Sequence, residues 1–207
     1  LDLARIESGR ILVSLEPVTV GEVLEEVKST LHPLAAHAQM SILIDPVPAD
    51  AARVVADRTR LKQILMNYGS NALKYGKPGG RAVFRALASD GMTHIEVEDD
   101  GVGIASDKQQ VLFQPFQRAG QETGPIEGTG IGLVISKRLT ELMGGSVGFS
   151  SREGQGSTFW LELPRPSAIR PTSPAPDLLQ VADSPLAGTQ GPRYVIVYVE
   201  DNPSNVA

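Results

Sequence analysis

At 207 residues, 41% hydrophobic and 21% charged, the chain has the composition of a folded domain with one good core and some extras. A net charge of −5, from 19 basic and 24 acidic residues, argues against a partner held through nucleic-acid phosphates. The lack of cysteine excludes a disulfide framework and thiolate chemistry, and no apolar run approaches the ~20 residues of a membrane span.

The first residue is not methionine, and LDLARIESGR sets Leu3 and Ile6 among charges as far as Gly9. This predicts the last turns of an amphipathic helix, in a piece of a longer protein. The run 11–20, ILVSLEPVTV, predicts a strand, and Val23, Leu24, Val27, Leu31 and Leu34 recur at helical spacing over 21–39. SILIDP alternates as a strand, 51–56 predicts another short one, and Asp57 is the candidate N-cap of a helix reaching about Tyr75. After the turn chemistry of GKPGG, RAVFRALAS and THIEVED predict a hairpin around Asp90-Gly91. A short helix is expected over 105–113 and a glycine-rich loop over 118–130. Ile131, Ile135, Leu139 and Leu142 then mark a helix that Gly144-Gly145 stops. SVGFSS and STFWLELP predict a closing hairpin. Strands and helices without strict alternation predict the α+β class, with a mixed sheet covered by helices on one face. Beyond Pro164 the composition changes: six of the 15 prolines fall in 166–192, which predicts a linker. YVIVYVEDNPSN then reads as an apolar strand ending in acids.

Three stretches carry candidate chemistry. On the helix from 57 to 75, Leu61, Ile64, Leu65, Tyr68 and Ala72 form an apolar stripe, and Asn67, Asn71 and Lys74 form a polar stripe beside it, joined by Arg60. Polar groups bordering a buried face point into a cleft margin. VEDDGVGI delivers Asp99 and Asp100 into a loop with two glycines, and a metal site, an acid/base pair and a tight turn all fit that stretch alone. RAGQETGPIEGTGIG has five glycines in 15 residues and runs straight into a helix, where backbone N–H groups can approach a phosphate. It contains no GxxxxGK[ST] and follows no strand-GxGxxG-helix pattern, so neither a P-loop nor a dinucleotide fold is supported.

The order of these stretches is specific. LKQILMNYGSNALKYG, DDGVGI, LFQPFQR and GTGIGL resemble, in sequence, the N box, first glycine box, F box and second glycine box of sensor histidine kinase ATP-binding domains, and GQGSTFWLELP is similar to their closing strand. The superfamily also holds DNA gyrase, heat-shock chaperones and mismatch-repair ATPases, and the resemblance covers about residues 1–165. It implies a two-layer α/β sandwich of the Bergerat type, binding ATP with Mg²⁺, over 14–165. Residues 1–13 resemble the end of the dimerisation and histidine-phosphotransfer hairpin, 166–192 is the linker, and 193–207 resembles the first strand and loop of a response-regulator receiver, with Glu200 and Asp201 as two of its acids.

The resemblance also implies roles. Asn71 is the Mg²⁺ ligand, Asn67 lines the phosphate side, Lys74 contacts phosphates and Tyr75 lines the nucleoside. Asp99 accepts from the adenine amine, Gly101 and Gly103 leave room for the base, and Ile104 and Thr158 are further nucleotide-binding residues. Phe113 and Phe116 anchor a lid, and Arg118 reaches the γ-phosphate. Gly128, Thr129, Gly130, Gly132 and Leu133 hinge the lid and cradle phosphates. Asp100 takes a turn role. Hydrolytic members carry a water-activating Glu where this chain has Asn67, which cannot act as a general base. The implied activity is transfer of the γ-phosphate to a protein histidine, within a hybrid sensor kinase that forms a homodimer and passes phosphate to a receiver in cis or a response regulator in trans. The parent protein, cytoplasmic in this part, is expected to be membrane-anchored or soluble. A nucleotide-binding signalling module without transfer is the alternative. His32, His37 and His94 lie in no phosphoacceptor context.

Overall fold

In the computed structural model, residues 12–115 and 130–166 are described. All of them belong to the first of the two units into which the chain divides, Leu1–Arg170. The expected hairpin end, the linker and the receiver-like segment fall outside or almost wholly outside the described residues, as do Phe116, Arg118, Gly128 and Thr129.

Strand β1 (Glu16–Thr19) leads into helix α1 (Val20–Ala38), strand β2 (Ser41–Ile44), a 3-10 turn (Ala49–Ala51) and strand β3 (Arg53–Ala56). Helix α2 (Arg58–Tyr75) is followed by β4 (Arg81–Ser89), β5 (Met92–Asp99), the one-turn helix α3 (Ser106–Gln109), α4 (Gly132–Leu142), β6 (Ser146–Arg152) and β7 (Gly156–Pro164). Three expectations need correction. The strand over 11–20 is only four residues long, because Val20 already opens α1 and its N–H bonds Ala52 O at 2.9 Å. The strand over 51–56 begins at Arg53, because residues 49–51 close a 3-10 turn. The helix over 105–113 stops at Gln109 and continues as turns.

Helix α2 starts where its cap predicts: Asp57 Oδ1 accepts from Arg60 N at 3.0 Å. Its stripe of Leu61, Ile64, Leu65, Tyr68 and Ala72 is buried against α1 and the sheet. The β4–β5 hairpin turns through Asp90 (φ 33°) and Gly91 (φ 82°), the paired positive angles of a primed turn.

Five strands form a mixed sheet in the order β2-β4-β5-β7-β6, with β2 parallel to β4 and the other neighbours antiparallel, while β1 and β3 pair separately. Phe84, Ala86, Ile95, Val97, Phe159, Leu161 and Leu163 point from the sheet into the core shared with α1, α2 and α4. The opposite face carries Arg85, bonded to Asp45 at 2.8 Å, to Glu96 at 3.2 Å and to Glu98. One face is thus covered and the other wet, which is the two-layer α+β sandwich expected. Asp99 ends β5 on the covered side, at the edge where α2 also ends.

Candidate functional site

Asp99 is the last residue of β5 and is 6% exposed. Its Oδ1 accepts from Gly101 N at 2.9 Å. Burial holds its carboxyl above the usual carboxylate range, against the opposing pull of backbone N–H groups from Gly101 and Ser157 and with a smaller upward push from Asp100 and Glu98. Asp100 does different work. Its Oδ1 accepts from Arg81 N at 3.0 Å, fastening the start of β4, and a Cβ on Gly80 would collide with that oxygen. The adjacent acids are therefore one buried acceptor and one turn fastener. Among the described residues no group of three His, Asp or Glu side chains suits a metal.

The loop after Asp99 is clamped by the chain's own backbone. Val102 N donates to Tyr75 O at 3.2 Å, and Gly154 N donates to Val102 O at 2.7 Å. A Cβ on Gly101 would run into Tyr75 O and lie 2.8 Å from Asp99 Oδ1. One on Gly103 (φ 66°) would run into Arg152 O. The space these glycines leave is thus filled by the end of α2 and the β6–β7 turn. Gly103→Ala is expected to cost about 2 kcal/mol or more, since left-handed strain of ~1–2 kcal/mol adds to a backbone collision. Gly79→Ala (φ 79°, nothing within 4 Å) isolates the strain alone and is expected to cost about half as much. Urea denaturation of the two variants measures the difference.

The other end of the site is set by α2 and α4. Asn67 Nδ2 donates to Ser136 Oγ at 3.0 Å, and its Oδ1 lies where a Cβ on Gly132 would sit. Asn67 therefore stands against the first residue of α4. Gly130 (φ 67°) turns the chain into that helix, whose N-terminus has no side-chain cap. Uncapped N–H groups and the helix dipole favour an anion there. Asn71 lies one turn beyond Asn67, half-buried and with no side-chain hydrogen bond to another described residue. Lys74 is exposed, Tyr75 half-buried, and Ile104 and Leu133 pack partly buried on the core. From Asn67 to Tyr75 is eight residues, about 12 Å of helix. The first glycine segment touches one end of that span and the second touches the other.

Phe113 joins the core edge through Phe149 (ring centroids 5.9 Å apart), which meets Phe159 at 5.8 Å, which meets Tyr68 at 5.7 Å. Lys137 Nζ lies 5.8 Å from the Phe113 ring centroid.

Thr158 of β7 stands on the other face of the sheet from Asp99. It pairs with Glu98 and lies with Trp160 on the open face of the sheet, while Asp99 faces the covered side. Ser157, one residue earlier and 8% exposed, is the hydroxyl directly opposite Asp99. The alternation of Phe159, Leu161 and Leu163 carried back two residues finds it. Ser136, Ser151 and Gln109 also went unread. Each has a partner 69, 47 or 42 residues away, beside nearer ones for Ser151 and Gln109, so local spacing alone does not mark them.

A family profile described as "Histidine kinase-, DNA gyrase B-, and HSP90-like ATPase" matches residues 56–167. The sensor protein GacS of Pseudomonas syringae pv. syringae is 39% identical over 175 residues, covering 81% of this chain and 19% of GacS. The aerobic respiration control sensor protein ArcB of Escherichia coli (strain K12) is 32% identical over 208 residues, covering 100% of this chain and 26% of ArcB. The chain thus spans a fifth to a quarter of the length of these curated relatives. Among solved structures, full-length ShkA in complex with AMPPNP is 34% identical with a TM-score of 0.68, over 79% of this chain and 34% of that one. The nucleotide-free catalytic domain of histidine kinase ThkA is 25% identical with a TM-score of 0.63, over 73% and 96%.

Proposed function

Because this chain belongs to the histidine kinase-, DNA gyrase B- and HSP90-like ATPase family, we propose that residues 14–165 bind Mg-ATP and transfer its γ-phosphate to a histidine on a dimerisation hairpin, as the catalytic part of a two-component sensor histidine kinase. One observation carries the reading. The Asn67–Tyr75 span of α2 touches a buried carboxylate loop at one end and an uncapped helix N-terminus at the other. A buried acceptor suits an exocyclic amine, and a helix N-terminus suits phosphate.

The roles follow this polarity. Asp99 accepts from the adenine amine, and Tyr75 and Ile104 border the nucleoside. Asn67, Lys74, Gly130, Gly132 and Leu133 border the phosphates, with Gly128, Thr129 and Arg118 expected to join them, and Phe113 and Phe116 anchor the covering segment. The donor set fits Mg²⁺: Asn71 would offer one neutral side-chain oxygen, and nucleotide oxygens and water would supply the rest. When bound, the ion neutralises charge on the transferring phosphoryl group. Asn67 stands where hydrolytic relatives place a general base, which favours a histidine acceptor over water.

The hairpin end, linker and receiver start assigned to 1–13, 166–192 and 193–207 fit a homodimeric hybrid kinase with a receiver in cis or a response regulator in trans. Among the described residues no helix is long and apolar enough to cross a membrane. The test supplies a dimerisation hairpin in trans with γ-labelled ATP. Label is expected on the hairpin histidine, with little free phosphate. Tight ATP binding without label would instead mean a nucleotide-sensing module, and Asn67-dependent hydrolysis would mean an ATPase.

A further inference from the structure

Between Asp99 and the β6–β7 hairpin lies a closed hydrogen-bond network. Ser151 Oγ accepts from Ile104 N at 2.9 Å, donates to Gly156 O at 3.0 Å, and lies 2.9 Å from Ser157 Oγ. A hydroxyl has one proton and two lone pairs. With its proton on Gly156 O, Ser151 can only accept from Ser157, so the Ser157 proton points toward Ser151. Ser157 then presents only lone pairs elsewhere, on the strand position opposite Asp99. From the far side, Gln109 Nε2 donates to Ile104 O at 2.9 Å and to Ser151 O at 3.2 Å. Both backbone polar groups of Ile104 are thus held by side chains, one from β6 and one from the turn five residues on, and Gln109 ties the two segments together. Gly156, whose carbonyl takes the Ser151 proton, also lies where a Cβ would collide with Asp99 O.

We infer that Ser151 and Gln109 form a clasp that positions the Asp99–Ile104 loop and thereby sets how strongly the site selects a purine bearing a 6-amino group. Neither side chain touches the nucleotide; both act through Ile104 and Ser157. Backbone bonds hold the loop as far as Val102, and the Ser151 and Gln109 side chains hold it at Ile104. Its glycines supply no side chains, and Val102 is 52% exposed. Without the Ser151 hydroxyl, Ile104 N loses its acceptor, and the Ser157 proton is free to turn elsewhere. The inference rests on the reading of Asp99 as the acceptor for the base amine.

The experiment measures equilibrium binding of ATP and of purine riboside triphosphate, which lacks the 6-amino group, to the full chain. Wild type is expected to prefer ATP by roughly 10-fold or more, from one charge-assisted hydrogen bond. In Ser151→Ala that ratio is expected to fall at least threefold, by selective loss of ATP affinity. Ser151→Thr, which keeps the hydroxyl, is expected to restore it. Gln109→Ala is expected to shift the ratio in the same direction. Added to Ser151→Ala, it is expected to do less than the two single effects combined, since both hold Ile104. A wild-type ratio near one would overturn the reading of Asp99 itself. A large wild-type ratio left intact by Ser151→Ala, or lost equally in Ser151→Thr, would overturn the clasp alone.

Discussion

Asp99→Asn is expected to weaken ATP binding about a hundredfold or more, from a lost charge-assisted hydrogen bond of ~1.5–3 kcal/mol plus ~1–3 kcal/mol for an unpaired buried donor. Asp100→Asn is expected to stay within about threefold, a fraction of one hydrogen bond. The asymmetry follows from what each carboxylate already does. Asp99 Oδ1 is taken by Gly101 N, and a second acceptor on a 6% exposed side chain is left for a ligand amine. Asparagine keeps one oxygen and presents a donor in place of the other. Asp100 gives its Oδ1 to Arg81 N, and an asparagine oxygen does the same. The empty protein should respond in the opposite sense. Burial raises the Asp99 pKa in the fold. The stability this confers is therefore present below the ordinary carboxylate range and lost as pH rises through the raised folded value. Above that value the fold gains nothing from a carboxyl whose charged form burial disfavours, so Asp99→Asn is expected to melt no lower than wild type while failing to bind. The same shift makes ATP affinity fall on acidification sooner than an ordinary carboxylate would, because protonated Asp99 offers one acceptor fewer. Calorimetric titration across pH for wild type and both variants checks all three statements. Equal losses in the two variants would mean that the acids work as a pair.

The sequence made the site's framework legible where the signal was local. Asp57 capping α2, the Asn67–Asn71–Lys74 stripe and the Asp90-Gly91 turn each depend on residues within one or two turns of each other, and the structure places those elements as expected. The α+β class with one covered face followed from element order. Tertiary pairing hid the rest. Which hydroxyl of β7 lies opposite Asp99 depends on strand parity: Ser157 shares the inward face with Phe159, Leu161 and Leu163, and Thr158 does not. The bare Cα atoms of Gly101 and Gly103 are also required by Tyr75 O and Arg152 O. Those contacts arise only when the end of α2 and the β6–β7 turn converge. Ser151 and Gln109 are polar residues of unremarkable spacing that acquire partners only in the folded chain.

The second large effect is expected at Asn71. Its neighbours on the same face are committed: Asn67 bonds Ser136 across the α2–α4 contact, and the carbonyl of Tyr75 takes Val102 N. Asn71, between them, has no side-chain hydrogen bond to another described residue, and its amide is half-buried at the middle of the ~12 Å span. A hard divalent cation held mainly by nucleotide oxygens needs few protein ligands, and a neutral amide oxygen supplies one without adding to the negative charge of the phosphates. Asn71→Ala is therefore expected to lower phosphate transfer to the hairpin by roughly two to three orders of magnitude, the scale of removing one preorganised charge-stabilising group. Binding separates this role from a structural one. In wild type, Mg²⁺ is expected to tighten ATP binding; in Asn71→Ala that enhancement should largely vanish, while metal-free ATP affinity changes less than about threefold, under about 0.7 kcal/mol. Asn71→Asp retains an oxygen at the same place and should recover part of the Mg²⁺ enhancement, with metal-free affinity lowered by repulsion from the phosphates. An alanine variant whose ATP affinity still responds to Mg²⁺ as wild type does would remove Asn71 as the metal's anchor and leave the ion to the nucleotide and solvent alone.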